Sequence, residues 1–224
     1  MFLTSNFLLL TSYLFLANLG VRESQVAANP ESLKVAAEYR QAAIAAAEYD
    51  RAIKVFTDLA DRPGAGPRVL LSLGLAYIDK VPVVGAFRRI SLGNKATEAL
   101  TRSIAREPSD IAYLIRGLVH LHFEKGFYHR TPDGVADLEK ALGLAQPHLD
   151  RRYVARIYVA LGDGYWRLKN RDKARTTWRE GQSRFPADDR LALRLTATDT
   201  VINDTIAHDL DAGVRVDTSL RDLE

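Results

Sequence analysis

The sequence predicts an all-α fold, a solenoid of stacked helix-turn-helix pairs. Three observations predict it. Residues 29–196 carry helical patterning almost without interruption, broken at near-regular intervals by Pro63-Gly64-Ala65-Gly66-Pro67, Pro108-Ser109-Asp110, Pro147 and Pro186. One spacing recurs: Tyr158, Leu161, Gly162 and Tyr165 are matched by Leu70, Leu73, Gly74 and Tyr77, and by Tyr113, Arg116, Gly117 and His120. The 224 residues are 47% hydrophobic and 26% charged, the balance of a folded chain with a core rather than a disordered one.

Taken in order, residues 2–21 contain no charge and include the run Phe7-Leu8-Leu9-Leu10 followed by Tyr13-Leu14-Phe15-Leu16. The run has the length of an export signal's apolar region, with Val26 and Ala28 placed for cleavage before Asn29 and Gly20 as a competing site. No Lys or Arg precedes it, and Thr4, Ser5, Asn6, Thr11, Ser12 and Asn18 weaken it as a membrane span. Residues 1–28 are therefore expected to be a signal peptide or an anchor, with a buried helix or a misplaced start as the remaining alternative.

Asn29-Pro30-Glu31 offers a cap and a first-turn proline for the helix that opens a first repeat, about 33–66. Ala36, Tyr39 and Ala43 face inward on its first helix; Ala52, Phe56 and Leu59 do so on its second. The second repeat, about 67–108, ends with Ala96, Leu100, Ser103 and Pro108. It holds an insertion: Tyr77 and Ala96 are 19 residues apart where the equivalent Tyr165 and Ala174 are 9 apart. The stretch 79–94, with Val81, Val83, Val84 and Phe87 beside Arg88 and Arg89, is expected to fold as a lid against its own repeat, with a membrane or partner contact as the alternative. A third repeat, about 110–147, has a second helix opening at Thr131-Pro132-Asp133 and carrying Leu138, Ala141 and Leu142 inward. The fourth, about 155–188, closes with Pro186 and a capping Asp188, and residues 189–224 are expected to form a capping helix and then an irregular tail, mobile or docked.

In the fourth repeat the positions Tyr158, Leu161, Gly162, Tyr165, Ala174, Trp178 and Pro186 follow the pattern W-x2-L-G-x2-Y…A-x3-F…P. The chain thus resembles the tetratricopeptide-repeat family. The resemblance implies a right-handed α-solenoid of about four repeats, with the first helix of each pair lining a concave groove. It places Arg68, Leu71, Leu75 and Ile78 of the second repeat on that groove, with Leu114, Leu118 and Leu121 of the third and Arg156, Val159 and Trp166 of the fourth. Family members that hold a peptide carboxylate use Lys, Asn and Arg at slots filled here by Leu71, Leu75, Leu114 and Leu118, which argues against such a clamp. An apolar groove edged by Arg68, Arg156 and Arg167 suits a protein or peptide partner such as an amphipathic helix, or else a hydrophobic small molecule, as in periplasmic carriers for solute uptake. The competing expectation is that the tail or the insertion fills the groove from within.

Other functions find little footing. A net charge of +3, with bases and acids interleaved, leaves no basic stripe for nucleic acid. The absence of cysteine excludes disulfides, thiolate metal sites and a cysteine nucleophile. His120, His122, Glu124 and His129 form the one cluster with ligand chemistry, but only His120 and Glu124 share a helical face, and His120 occupies a packed slot; no metal site is expected. Asp199, Asp204, Asp209 and Asp211 lack the glycine and spacing of a calcium loop and are expected to be solvated. Gly162-Asp163-Gly164 belongs to a helix, and no nucleophile with a base or phosphate loop is present, so neither catalysis nor a cofactor is expected.

Overall fold

The computed structural model describes residues 18–123, 129–149, 151–211, 213–214 and 216–220. Helix α1 covers residues 18–28 and is followed by α2 (Leu33–Ala45), α3 (Tyr49–Ala60), α4 (Pro67–Lys80), α5 (Ala86–Arg106), α6 (Asp110–His122), α7 (Thr131–Leu144), α8 (Arg152–Arg167), α9 (Arg171–Arg184), α10 (Asp189–Thr196) and α11 (Asp199–Asp209). No strand occurs among the described residues. Consecutive helices pack as antiparallel neighbours, α4 on α5, α6 on α7 and α8 on α9, and each pair stacks on the next through α3–α4, α5–α6 and α7–α8 contacts. The apolar interior falls into three clusters along the stack, one around the first repeat and the start of the second, one between the second and third, and one through the third, the fourth and the C-terminal helices.

Small residues set how closely the helices of a pair approach. A methyl added to Gly162 would lie 2.1 Å from Nε1 of Trp178, which is fully buried, and one added to Gly74 would lie 2.8 Å from Leu100. Glycine at these crossings lets an indole or a leucine rest on helix backbone. Ala174, also fully buried, completes the crossing in the fourth repeat.

The helix ends depart from expectation at three places. Ser32, not Asn29, caps α2: its hydroxyl accepts from the Val35 amide at 3.3 Å, because α1 continues to residue 28 and Asn29-Pro30-Glu31 make the turn between. Glu31 instead caps α4 across the fold, accepting from the Arg68 amide at 3.0 Å where Gly66 supplies no side chain. In α7, Thr131 is the first helical residue rather than the cap.

Helix α1 is part of the stack. Leu19 and Val26 are buried with Tyr39 and Phe56, and Glu23 takes two hydrogen bonds from Arg51, at 2.6 and 3.0 Å, and one from the Tyr39 hydroxyl at 2.8 Å. The hydrogen bond from Arg51 holds the Glu23 carboxyl below its usual range, against the opposing effect of burial. The apolar run at residues 2–16 lies outside the described residues.

The insertion does not fold as a lid. After a 3-10 turn at Val81–Val83, helix α5 starts at Ala86, so the extra residues become two further turns of helix. Val81 is buried, but Phe87 is 92% exposed and Val83 52%. Helix continuation satisfies each added backbone amide, which a ten-residue loop would have to do with side chains or water.

The C-terminal region holds one more helix than expected. Thr198 caps α11, and Ile202 and Ile206, four apart, are buried against the third and fourth repeats. Packing of that face outweighs the poor helix propensity of its Thr, Val, Ile and Asp residues.

Candidate functional site

Several of the expected site residues lie on one face of the stack, and the described tail residues up to Leu220 run along it. Helix α11 covers the end formed by the fourth repeat. There Trp166 is buried, donates from Nε1 to Asn203 Oδ1 at 2.8 Å, and lies 5.4 Å from Trp178 between ring centroids. The Arg171 guanidinium stacks 4.0 Å from the centroid of Trp166, and Asp199 holds it there with a 2.7 Å bond while accepting from Arg175 at 3.1 Å. Asp199 is thus not merely solvated. Neither is Asp209, which accepts from Arg194 at 2.9 Å.

Beyond α11 the tail crosses the groove from the fourth repeat to the first. Arg156 donates to the Asp217 carbonyl at 2.9 Å. Val214, Val216 and Thr218 close a cavity of about 40 Å³ whose other wall includes Ile78, Leu118, His122 and Phe123. Leu220 is buried in the cluster formed by Leu71, Leu75, Ile115 and Val119. Ser219 and Leu220 border a depression of about 790 Å³, rimmed by Lys34, Arg68 and Arg151 among others.

One polar group fixes the tail. Arg40, almost fully buried, donates to Asp79 Oδ2 at 2.8 Å and to the Thr218 carbonyl at 2.7 Å, while the Thr218 hydroxyl donates to the other oxygen of Asp79. The first repeat, the second repeat and the tail therefore meet at a buried ion pair that reads one backbone carbonyl and one hydroxyl. Every buried oxygen of Asp79 is used, as burial requires. Nothing in the sequence pattern marked this group, because Arg40 and Asp79 lie 39 residues apart and Thr218 a further 139.

Of the expected groove residues, Leu71, Leu75, Ile78 and Leu118 line the tail's path, Arg156 binds it and Trp166 is under α11. Leu114 and Val159 are buried in the cluster that contains Ile202 and Ile206. Arg68 is exposed on the depression at the tail's end. Leu121 is misplaced by the pattern. It packs inside the stack, close enough that a methyl on Gly134 of α7 or Gly164 of α8 would come within 3.0 or 3.5 Å of it. Arg167 donates to the Leu121 carbonyl at 2.6 Å.

His120 is buried with Nε2 3.6 Å from Asp137, which Arg116 holds by a two-point bond at 2.6 and 2.8 Å. Burial lowers the His120 pKa below its ordinary value, although Asp137 acts the other way. His122 places Nδ1 2.8 Å from the Leu118 carbonyl, and its pKa is lowered by burial too. Glu124 lies outside the described residues and His129 is exposed. Among the described residues no three His, Asp or Glu side chains gather as metal ligands.

Three helix pairs that cross at a glycine of the first helix, Gly74, Gly117 and Gly162, with the α2–α3 pair stacked on them, decide the architecture. It is a tetratricopeptide-repeat solenoid. Solved structures of that fold match it over most of its length: a thermophilic TPR protein of Thermus thermophilus (TTC0263), at 19% identity with a TM-score of 0.59, covering 81% of this chain and 88% of that one. Two MamA structures match at 17% and 20% identity, each with a TM-score of 0.54, covering 78% and 79% of this chain and 84% and 90% of theirs. No family model matches the sequence, and no curated protein does. At these identities the likeness concerns the repeat fold alone.

Proposed function

We propose that this chain is a non-catalytic scaffold that holds an extended segment of a partner protein along its concave groove, and that its own tail is the resident occupant until the partner arrives. The observation that carries this reading is the clasp of Arg40 and Asp79 on Thr218, because it binds a backbone carbonyl and a hydroxyl, groups that any extended segment with a Thr or Ser can present. Val216, Thr218 and Leu220 turn inward while Asp217 is exposed, and the tail bends at Ser219 and takes a positive φ of 56° at Leu220, so the ligand motif is apolar, hydroxyl, apolar at every second residue. That favours an extended peptide over the amphipathic helix expected from the groove's apolar character. A carrier for a hydrophobic small molecule gains little support, because the apolar cavity holds only about 40 Å³, below the roughly 300–1,000 Å³ of ligand pockets, and the depression of about 790 Å³ is rimmed by charged Arg22, Lys34, Glu38, Arg68 and Arg151.

The scaffold works outside the cytoplasm or on a membrane, tethered by the apolar run at residues 2–16. Cleavage before Asn29 would remove α1 together with buried Leu19 and Val26, so the reading adopts an uncleaved anchor or a cut upstream of α1.

The test places a photo-activated cross-linking residue at Ile78 of the full-length protein in its host cells. The expected product is a defined second protein, obtained in higher yield when Thr218→Val loosens the tail. Cross-links confined to the chain's own tail in both proteins would sink the proposal.

A further inference from the structure

Among the described residues, the start of α5 gathers three exposed large apolar side chains within one short stretch, including the most exposed of them. Phe87 is 92% exposed and Val83 52%, and Ile90 adds to the same tip. Between Lys80 and Thr97 the sequence contains Lys80, Arg88, Arg89 and Lys95 and only neutral residues besides. The acids that face this tip are few. Asp50 pairs with Lys80, and Asp211 lies by Gly213, against which Arg89 also rests. Arg88 is exposed next to Phe87 itself.

We infer that this tip, Val83, Phe87 and Ile90 with Arg88, docks on a bilayer surface carrying anionic headgroups. Two physical points select a lipid surface over a protein partner. Three apolar side chains on a single convex tip fall well short of the roughly 800 Å² per partner that a stable protein interface buries. Interfacial binding has no such threshold: it scales with the apolar area placed at headgroup depth plus the attraction of nearby cations to anionic lipid, and a small patch gives reversible docking. The two extra turns of α5 also make the tip rigid, so that little ordering entropy is lost on docking. None of Val83, Phe87, Arg88 and Ile90 lines the tail's cavity, although Arg89 beside them rests against Gly213, and the inference does not depend on what the groove holds.

The chain lacks cysteine, so Ser91→Cys gives a unique attachment point one helical turn from Phe87, with Phe87 left in place. An environment-sensitive fluorophore there, on the full-length protein, is expected to shift to the blue with vesicles of phosphatidylcholine and phosphatidylglycerol and to become shielded from an aqueous quencher. The same label at Arg184→Cys on α9 is expected to stay unchanged. Adding Phe87→Asp should weaken the vesicle-dependent shift about tenfold, the scale of one aromatic side chain transferred from water, and Arg88→Glu should weaken it further as salt is lowered. Three outcomes would overturn the inference. One is no shift with anionic vesicles. Another is an equal shift at both label positions or with pure phosphatidylcholine, which would mean that the N-terminal run alone brings the protein to lipid. The third is a shift without vesicles that grows with protein concentration, which would assign the tip to a second copy of the chain.

Discussion

Two buried arginines hold this molecule together in different ways. Arg194 of α10 makes a two-point bond to Asp163 of α8 at 2.6 and 2.7 Å, adds Asp209 of α11 at 2.9 Å, and reaches the Arg190 carbonyl at 3.2 Å. Burial opposes its charge, yet the hydrogen bonds it donates to Asp163 and Asp209 outweigh that and hold its pKa above the ordinary value. Arg40 has one carboxylate, Asp79, and one carbonyl, that of Thr218, and its Nε has no hydrogen-bond partner. The first arginine is a redundant lock among α8, α10 and α11, all within the last third of the chain. The second is a clasp that joins a single anion to the backbone of the tail.

The largest expected effect breaks the clasp. Asp79→Ala leaves Arg40 buried without a countercharge and the Thr218 hydroxyl without its acceptor, so urea denaturation should show a loss of about 3–5 kcal/mol. Asp163→Ala should cost less, because Asp209 remains on Arg194. If the two variants are equally destabilised, or Asp163→Ala is worse, the contrast between lock and clasp is wrong.

A subtler change sharpens the same contrast. Thr218→Val keeps the shape of the tail and the carbonyl that Arg40 binds, and removes only the hydroxyl donated to Asp79. A net hydrogen bond to a charged group is worth about 1.5–3 kcal/mol at most. The loss should fall on tail docking: amides of residues 216–220 should exchange about tenfold faster in hydrogen-exchange measurements, while protection in α4 and α8 stays as it was. Uniform loss of protection across the repeats would mean that the tail is a structural strand and not an occupant of the groove.

The contrast also explains what the sequence made legible. The fourth repeat could be read residue by residue, because Gly162, Ala174 and Trp178 meet one another within a single helix pair and so leave a fixed spacing. The same logic grouped Leu71, Leu75 and Leu118 on one face, the face along which the tail lies. Leu121 failed because spacing along a helix places a residue on a face but does not say which neighbour that face meets, and here Gly134 and Gly164 let α7 and α8 close over it. The insertion failed for a different reason. Its length was read correctly, but Ala86 to Asn94 extends the following helix, and a helix keeps Phe87 in water where a loop could have folded it inward. The clasp was not legible at all. Arg40, Asp79 and Thr218 follow no repeat period, and only the path of the tail brings them together.

The smallest effect expected near neutrality concerns the two histidines at the end of α6, which sit between the lock and the clasp. His120 faces Asp137 and Asp133 on one side and Arg116 and Arg130 on the other; His122 is near Arg167 and Asp211 and beside the Leu118 and Asp209 backbone. Burial lowers both pKa values below the ordinary 6.5, so at acid pH the unfolded chain binds protons that the folded chain refuses. The sign follows: the folded state keeps its full stability from these groups above pH 6.5 and loses it as pH falls from there toward the lowered folded-state values. Thermal melts should therefore shift downward below pH 6.5, and His122→Gln, which removes the histidine lining the tail's cavity, should remove part of that slope. If the slope instead belongs wholly to His120, acid will loosen α6 against α7 and leave the tail's amide exchange unchanged, which assigns the pH response to the stack and not to the clasp.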